Sequence, residues 1–174
     1  MHPQLAKNNI MVDLETMATH PNAAIVAIGA VRFTDELQDS FYQVVDLQSS
    51  IRADLDVDGA TVIWWLMQEE AARQAITVPG LELTQALTLF YEWLGKEAVV
   101  WGNGASFDNA ILANAYHKAG ITLPWKYYNN RCYRTVKSFY PDVKLQRTGT
   151  LHNALDDAKS QATHLIEIFN NTKT

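Results

Sequence analysis

Asn9-Ile10-Met11-Val12-Asp13-Leu14-Glu15-Thr16 is the stretch on which the reading of this 174-residue chain turns. Asn9 to Leu14 is an apolar run of strand length, bounded by turn residues. Yet it carries an acid, and a second follows at Glu15. Successive side chains on a strand alternate, so Asp13 and Glu15 point to one side and Val12 and Leu14 to the other. Two carboxylates on one face of a central strand repel each other unless a cation lies between them. A strand ending at the surface, with both acids solvated before a turn at Thr16, accounts for the pair equally well.

Working outward, Ala24 to Phe33 is a longer apolar run rich in Val and Ile, and Phe41 to Val45 alternates. The connections between these runs, T-M-A-T-H-P-N-A and T-D-E-L-Q-D, are short and turn-rich, which predicts an antiparallel meander. After Asp46 the pattern becomes helical. Ala60 to Thr77 reads as one helix. Leu83, Leu87, Phe90 and Leu94 mark an amphipathic one. Ala98 to Trp101 reads as a short buried strand pairing parallel to the first, because intervening helices permit a crossover. A helix from about Phe107 to Lys118 follows it, and Tyr127 to Cys132 is a candidate fifth strand. The final helix has Leu155, Ala158, Ala162, Leu165 and Phe169 along one stripe. The sum is an α/β layer fold, a mixed sheet covered by helices, in one domain over 1–174.

Composition narrows the class. Hydrophobic residues are 48% of the chain and run throughout it, which excludes extended disorder. One cysteine, Cys132, excludes an internal disulfide or a cysteine zinc cluster and reads as a buried small hydrophobe. The start, M-H-P-Q-L-A-K-N-N, has no long apolar stretch, so neither a secretion signal nor a membrane span is expected, and a cytoplasmic protein is. Net charge is −5, unevenly spread. From Asn109 to Arg147 seven cations (Lys118, Lys126, Arg131, Arg134, Lys137, Lys144, Arg147) face one acid, Asp142, giving +6 there and −11 elsewhere. An acidic body with a basic flank suits an enzyme that grips a polyanion locally, though a solvated basic face fits as well.

Two further acidic places complete the constellation. Asp108 follows G-N-G-A-S-F, between a strand and a helix, where Ser106 is a candidate N-cap and a first-turn carboxylate is favoured by the helix dipole. The loop after a parallel strand is also where α/β sheets place ligands. In L-H-N-A-L-D-D-A, Asn153 is a candidate N-cap, which leaves His152 on the loop and Asp157 in the first turns. Asp156 reads as an ordinary helix-start acid. Hard divalent cations take oxygen ligands, so Asp13, Glu15, Asp108 and Asp157 are the right residue types for a pair of Mg²⁺ or Mn²⁺ ions in a phosphodiester hydrolase. Histidine is the side chain suited to deprotonating water near neutral pH, and His152 would be that base.

These motifs resemble those of the DEDDh 3′–5′ exonucleases, which have an RNase H-like fold. D-L-E-T looks like their first motif, S-F-D with Asp108 like the second, and H-N-A-L-D-D-A like the third, with four residues between His152 and Asp157. T-V-I-W-W-L-M-Q-E-E-A-A-R-Q-A-I looks like a segment of small bacterial and phage exonucleases similar to exodeoxyribonuclease VIII. Many relatives have Gly after the first motif, where this chain has Met17-Ala18. The resemblance implies a mixed five-stranded sheet, two metal ions, and a nucleic acid with a free 3′ end, single-stranded, shortened to 5′-mononucleotides. It leaves DNA and RNA both open. Thr16, Met17, Asn103, Ser106 and Phe107 are candidate contacts to the terminal nucleotide, and Arg131, Arg134 and Lys137 to phosphates. Trp64 and Trp65 read as core or helix packing; an exposed tryptophan face would instead suit a homodimer.

Two other classes compete with this reading. W-G-N-G-A-S-F partly mimics a dinucleotide-binding glycine loop, but Phe107 stands at the third glycine and no acid occurs from Asn109 to Pro141 to hold a ribose. A non-catalytic nucleic-acid-binding or scaffold module on the same fold would have lost one or more of the five site residues, and all five are present.

Overall fold

A computed structural model describes residues 8–171. The expectation about the N-terminal leader falls largely on 1–7, outside the described residues. The described residues form one five-stranded mixed sheet of order β3-β2-β1-β4-β5. Its strands are β1 (Asn9–Thr16), β2 (Ile25–Phe33), β3 (Leu37–Val44), β4 (Val99–Gly102) and β5 (Asn130–Cys132). β1–β2 and β2–β3 are antiparallel, whereas β4 runs parallel to both β1 and β5. The meander and the parallel crossover are as the sequence predicts.

The helices are α1 (Leu47–Arg52), α2 (Gly59–Leu66), α3 (Glu70–Thr77), α4 (Leu83–Leu94), α5 (Asp108–Lys118), α6 (Tyr133–Phe139) and α7 (Ala154–Asn171). Four details depart from expectation. The single helix over 60–77 is broken at Met67-Gln68-Glu69, where Gln68 and Arg73 side chains donate to the Trp64 and Leu66 carbonyls and so satisfy the end of α2. β3 begins four residues early, because Leu37 pairs with Phe33. Tyr127–Asn129 is a 3₁₀ turn, leaving only Asn130–Cys132 as strand. α1 and α6 are too short to leave a periodic signal.

β1 divides the core in two. Ile10, Val12 and Leu14 join the larger apolar cluster with Leu83, Leu87, Phe90 and Leu94 of α4 and Ile111 and Leu112 of α5. Met11 faces the other side, packed with Val31, Trp101 and the Ala158, Ala162 and Leu165 stripe of α7. Asp13 and Glu15 continue the Met11 row, so both acids lie on the α7 side of the sheet.

Two glycines set how close the helices come. Gly29 is paired with Asp13 across β1–β2. A Cβ there would lie 2.2 Å from the Ala154 carbonyl carbon and 2.3 Å from the Leu155 nitrogen, so only glycine lets the start of α7 rest on the sheet. Gly102 does the same for α5: a Cβ would lie 2.3 Å from Asn109 Oδ1 and 3.0 Å from Asp108 Cβ. Among the described residues no helix is long and apolar enough to cross a membrane.

Candidate active site

The carboxyl end of β1, the loop after β4, α2 and the junction before α7 surround a cleft of about 490 Å³. Asp13, Glu15 and Asp157 each bring one carboxylate oxygen into it, and these oxygens lie within 4.8 Å of one another. β1 supplies the first two from its α7-facing row. α7 supplies the third, brought within reach by the contact at Gly29. Asp108 lies behind them at the first position of α5, buried, where its Oδ1 accepts the Leu14 N–H at 3.3 Å. The expected N-cap at Ser106 is absent: Phe107 precedes the helix without a side-chain cap, and Ser106 is exposed.

The electrostatics of this cluster are unfavourable on its own. Burial, followed by the charges of Asp108 and Glu15, pushes the Asp13 carboxyl well above the ordinary range, while a hydrogen bond from Gln161 opposes the shift. Burial, then Asp157 and Asp108, pushes Glu15 up to about 8. Burial pushes Asp108 up to about 7, although N–H donors from Leu14, its own backbone and Asn103, with the charge of Arg134, pull the other way. Glu15 Oε1 is buried with no hydrogen-bond partner. An orphaned buried acceptor among repelling carboxylates costs free energy that a divalent cation would offset. The donor set is all oxygen and fits a hard cation of the Mg²⁺ or Mn²⁺ kind.

His152 stands at the rim. Its backbone has φ +60, a conformation uncommon for a residue with a Cβ. Its N–H donates to Asp157 Oδ2 at 3.1 Å, which fixes the histidine and the aspartate relative to each other. Asn153 Oδ1 accepts from the Leu155 and Asp156 N–H groups, so Asn153 caps α7 as its sequence position suggests. Asp156 is more than a helix-start acid: its Oδ2 accepts the Thr150 N–H at 2.8 Å and ties the preceding loop to the helix.

The two tryptophans have different fates. Trp65 is buried and donates through Nε1 to the Thr16 carbonyl at 3.0 Å. Trp64 is 41% exposed, and its ring meets the His152 ring edge-on at 4.9 Å between centroids. Core packing therefore describes Trp65 alone, and Trp64 walls the cleft beside the imidazole.

Of the candidate substrate contacts, Thr16, Asn103 and Phe107 line the cleft and Ser106 does not. The Met17 side chain is buried in the larger apolar cluster, because its N–H and carbonyl are drawn inward by Ala24 and Asp58. Arg131 is exposed, with its guanidinium held by the Tyr128 and Asn130 carbonyls. Arg134 lies near Gly104 and acts on Asp108 through its charge. Arg147 and Gln161 line the cleft and escaped the sequence reading. Gln161 sits one helical turn after Asp157 and donates to Asp13 Oδ1 at 2.7 Å; that i, i+4 spacing was its available signal. Arg147 was legible only as one of seven cations in the basic segment.

Known proteins share this fold. The family described as the 3′-5′ exoribonuclease Rv2179c-like domain matches residues 8–169. No curated protein sequence matches significantly. Among solved structures, the nuclease domain of 3′hExo, described as a DEDDh family member bound to rAMP, superposes with a TM-score of 0.65 at 14% identity over 95% of this chain and 92% of that one. The 3′-exonuclease described in specific recognition of the 3′ end of the histone mRNA stem-loop has a TM-score of 0.63 at 14% identity, over 97% of this chain and 84% of that one. Cell-death related nuclease 4 has 0.56 at 14% identity, over 95% and 64%. At such identities the likeness is one of fold, and it is the RNase H-like exonuclease fold. Taken with the family match over nearly the whole chain, it makes this protein a 3′–5′ exonuclease belonging to the Rv2179c-like 3′-5′ exoribonuclease domain family.

Proposed function

We propose that residues 1–174 act as a single catalytic domain that removes 5′-mononucleotides from the free 3′ end of single-stranded RNA. The family's description as exoribonucleases favours RNA over DNA, which the sequence left open. The observation that carries the mechanism is the trio Asp13, Glu15 and Asp157, with ligand oxygens within 4.8 Å and a buried Glu15 oxygen that has no partner. With Asp108 behind them, these carboxylates would hold two Mg²⁺ or Mn²⁺ ions. Bound there, the ions would neutralise charge on the attacking and leaving oxygens of an in-line displacement.

The chain's own groups do the rest. His152 accepts a proton at a ring nitrogen from the attacking water as its oxygen bonds to phosphorus and the bond to the 3′ oxygen of the penultimate nucleotide breaks. The Trp64 ring against the imidazole and the backbone link to Asp157 restrict where that nitrogen can go. Gln161 holds one oxygen of Asp13, leaving the other to face the cleft. Thr16, Asn103 and Phe107 offer hydroxyl, amide and aromatic surface to a terminal nucleotide.

The test is shortening of a 5′-labelled RNA oligonucleotide in Mn²⁺, with the products identified. Asp13→Asn is expected to slow turnover by about 10³-fold or more, and His152→Ala by about 10²–10³-fold. Both variants should remain folded. Turnover by either at the parent rate would refute the assignment.

A further inference from the structure

Arg147 is the one Lys or Arg among the described residues that line the cleft. Its Nη1 donates to Asp157 Oδ1, while Asp157 Oδ2 is taken by the His152 N–H. Both oxygens of a proposed metal ligand are thus engaged by the chain itself. The two bonds are not equivalent. His152 N–H is part of a backbone fixed by φ +60 and followed at once by the Asn153 cap. The Arg147 side chain is half-exposed and ends in a flexible arm. A cation arriving at Asp157 can displace the guanidinium far more readily than the peptide N–H.

The displaced group has little freedom to leave. The next residue, Thr148, is anchored by its N–H to Ser160 Oγ of α7 at 3.1 Å, and Thr150 by its N–H to Asp156. Arg147 therefore stays at the cleft mouth with five N–H donors and no carboxylate partner. A phosphate is the group that such a fork suits, and it is what a nucleotide would bring there.

We propose that Arg147 is an exchangeable clamp: it pairs with Asp157 and passes to a substrate or product phosphate once a divalent cation occupies that carboxylate. This rests on the metal-site reading above. It has an unusual consequence, since one side chain opposes cation binding and assists nucleotide binding.

Calorimetric titration of the full chain separates the two effects. The probes are Mn²⁺ alone, then adenosine 5′-monophosphate and adenosine, each with Mn²⁺ present. Arg147→Ala is expected to bind Mn²⁺ about three-fold more tightly, since it removes a part-exposed ion pair that competes for Asp157. It should bind the monophosphate about ten-fold more weakly, with adenosine unchanged. Arg147→Lys keeps the charge without the fork, so it should match the parent for Mn²⁺ and fall between parent and Ala for the monophosphate. Weaker or unchanged Mn²⁺ binding in the Ala variant, or equal losses for monophosphate and adenosine, overturns the proposal. A parent that binds no Mn²⁺ overturns the metal-site reading as well, a different result from a parent that binds while Arg147→Ala behaves like it.

Discussion

β1 and the segment from Val143 to Asn153 meet at one cleft but are held in place by different forces. β1 is paired along its length with β2 on one side and over Asn9 to Val12 with β4 on the other, and most of its residues are buried. The 143–153 segment has no ladder. The His164 Nε2–H donates to the Val143 carbonyl, leaving Nδ1 to accept from the Tyr133 hydroxyl, and Ser160, Asp156 and Asn153 hold the rest. The strand thus supplies carboxylates that cannot retreat from one another, and the loop supplies the histidine and arginine that line the cleft. Damage to the strand side should cost the whole protein, and damage to the loop should cost chemistry first.

The largest effect belongs to Gly29→Ala. The added methyl would collide with the backbone of α7 beneath Asp13, so stability should fall by about 3 kcal/mol or more in denaturant unfolding, with activity lost alongside. Near-parent stability would mean that α7 is not set by that contact.

On the loop side, Asp156→Ala removes the acceptor of the Thr150 N–H and a first-turn acid. A loss of about 1 kcal/mol in stability is expected. Turnover should drop further, about ten-fold or more, because His152 and Arg147 lose a fixed approach. Equal activity in variant and parent would show that the loop needs no tether.

A further effect, one of pH, reads the repulsion on the strand side. Glu15 and Asp108 have folded values near 8 and 7, above their ordinary ones of 4.5 and 3.8. A carboxyl raised on folding contributes stability at low pH that is lost as pH rises through the folded value. The Tm of the metal-free protein should therefore fall between about pH 5 and 8, whereas saturating Mn²⁺ should flatten the slope. A metal-free Tm that climbs over this interval would contradict the buried-repulsion account.

The same contrast explains what was legible in the sequence. Asp13 and Glu15 could be read because a strand converts spacing of two directly into a shared face. Asn153 and the amphipathic rows of α4 and α7 were visible for similar local reasons. Arg147 was not, since nothing local marks which of seven cations a loop will turn inward. Trp64 reads as core or helix packing in the sequence because its ring contact with His152, 88 positions away, leaves no local mark. Met17 and Ser106 do not line the cleft: the Met17 side chain is buried in the larger apolar cluster and Ser106 lies exposed before the uncapped start of α5.

Anomalous diffraction from crystals soaked in Mn²⁺ addresses the metal centre most directly. Two peaks are expected between Asp13, Glu15, Asp108 and Asp157, and Asp157→Asn should lose at least one of them. An undecorated cleft in a protein that still shortens RNA under the same conditions would contradict the account.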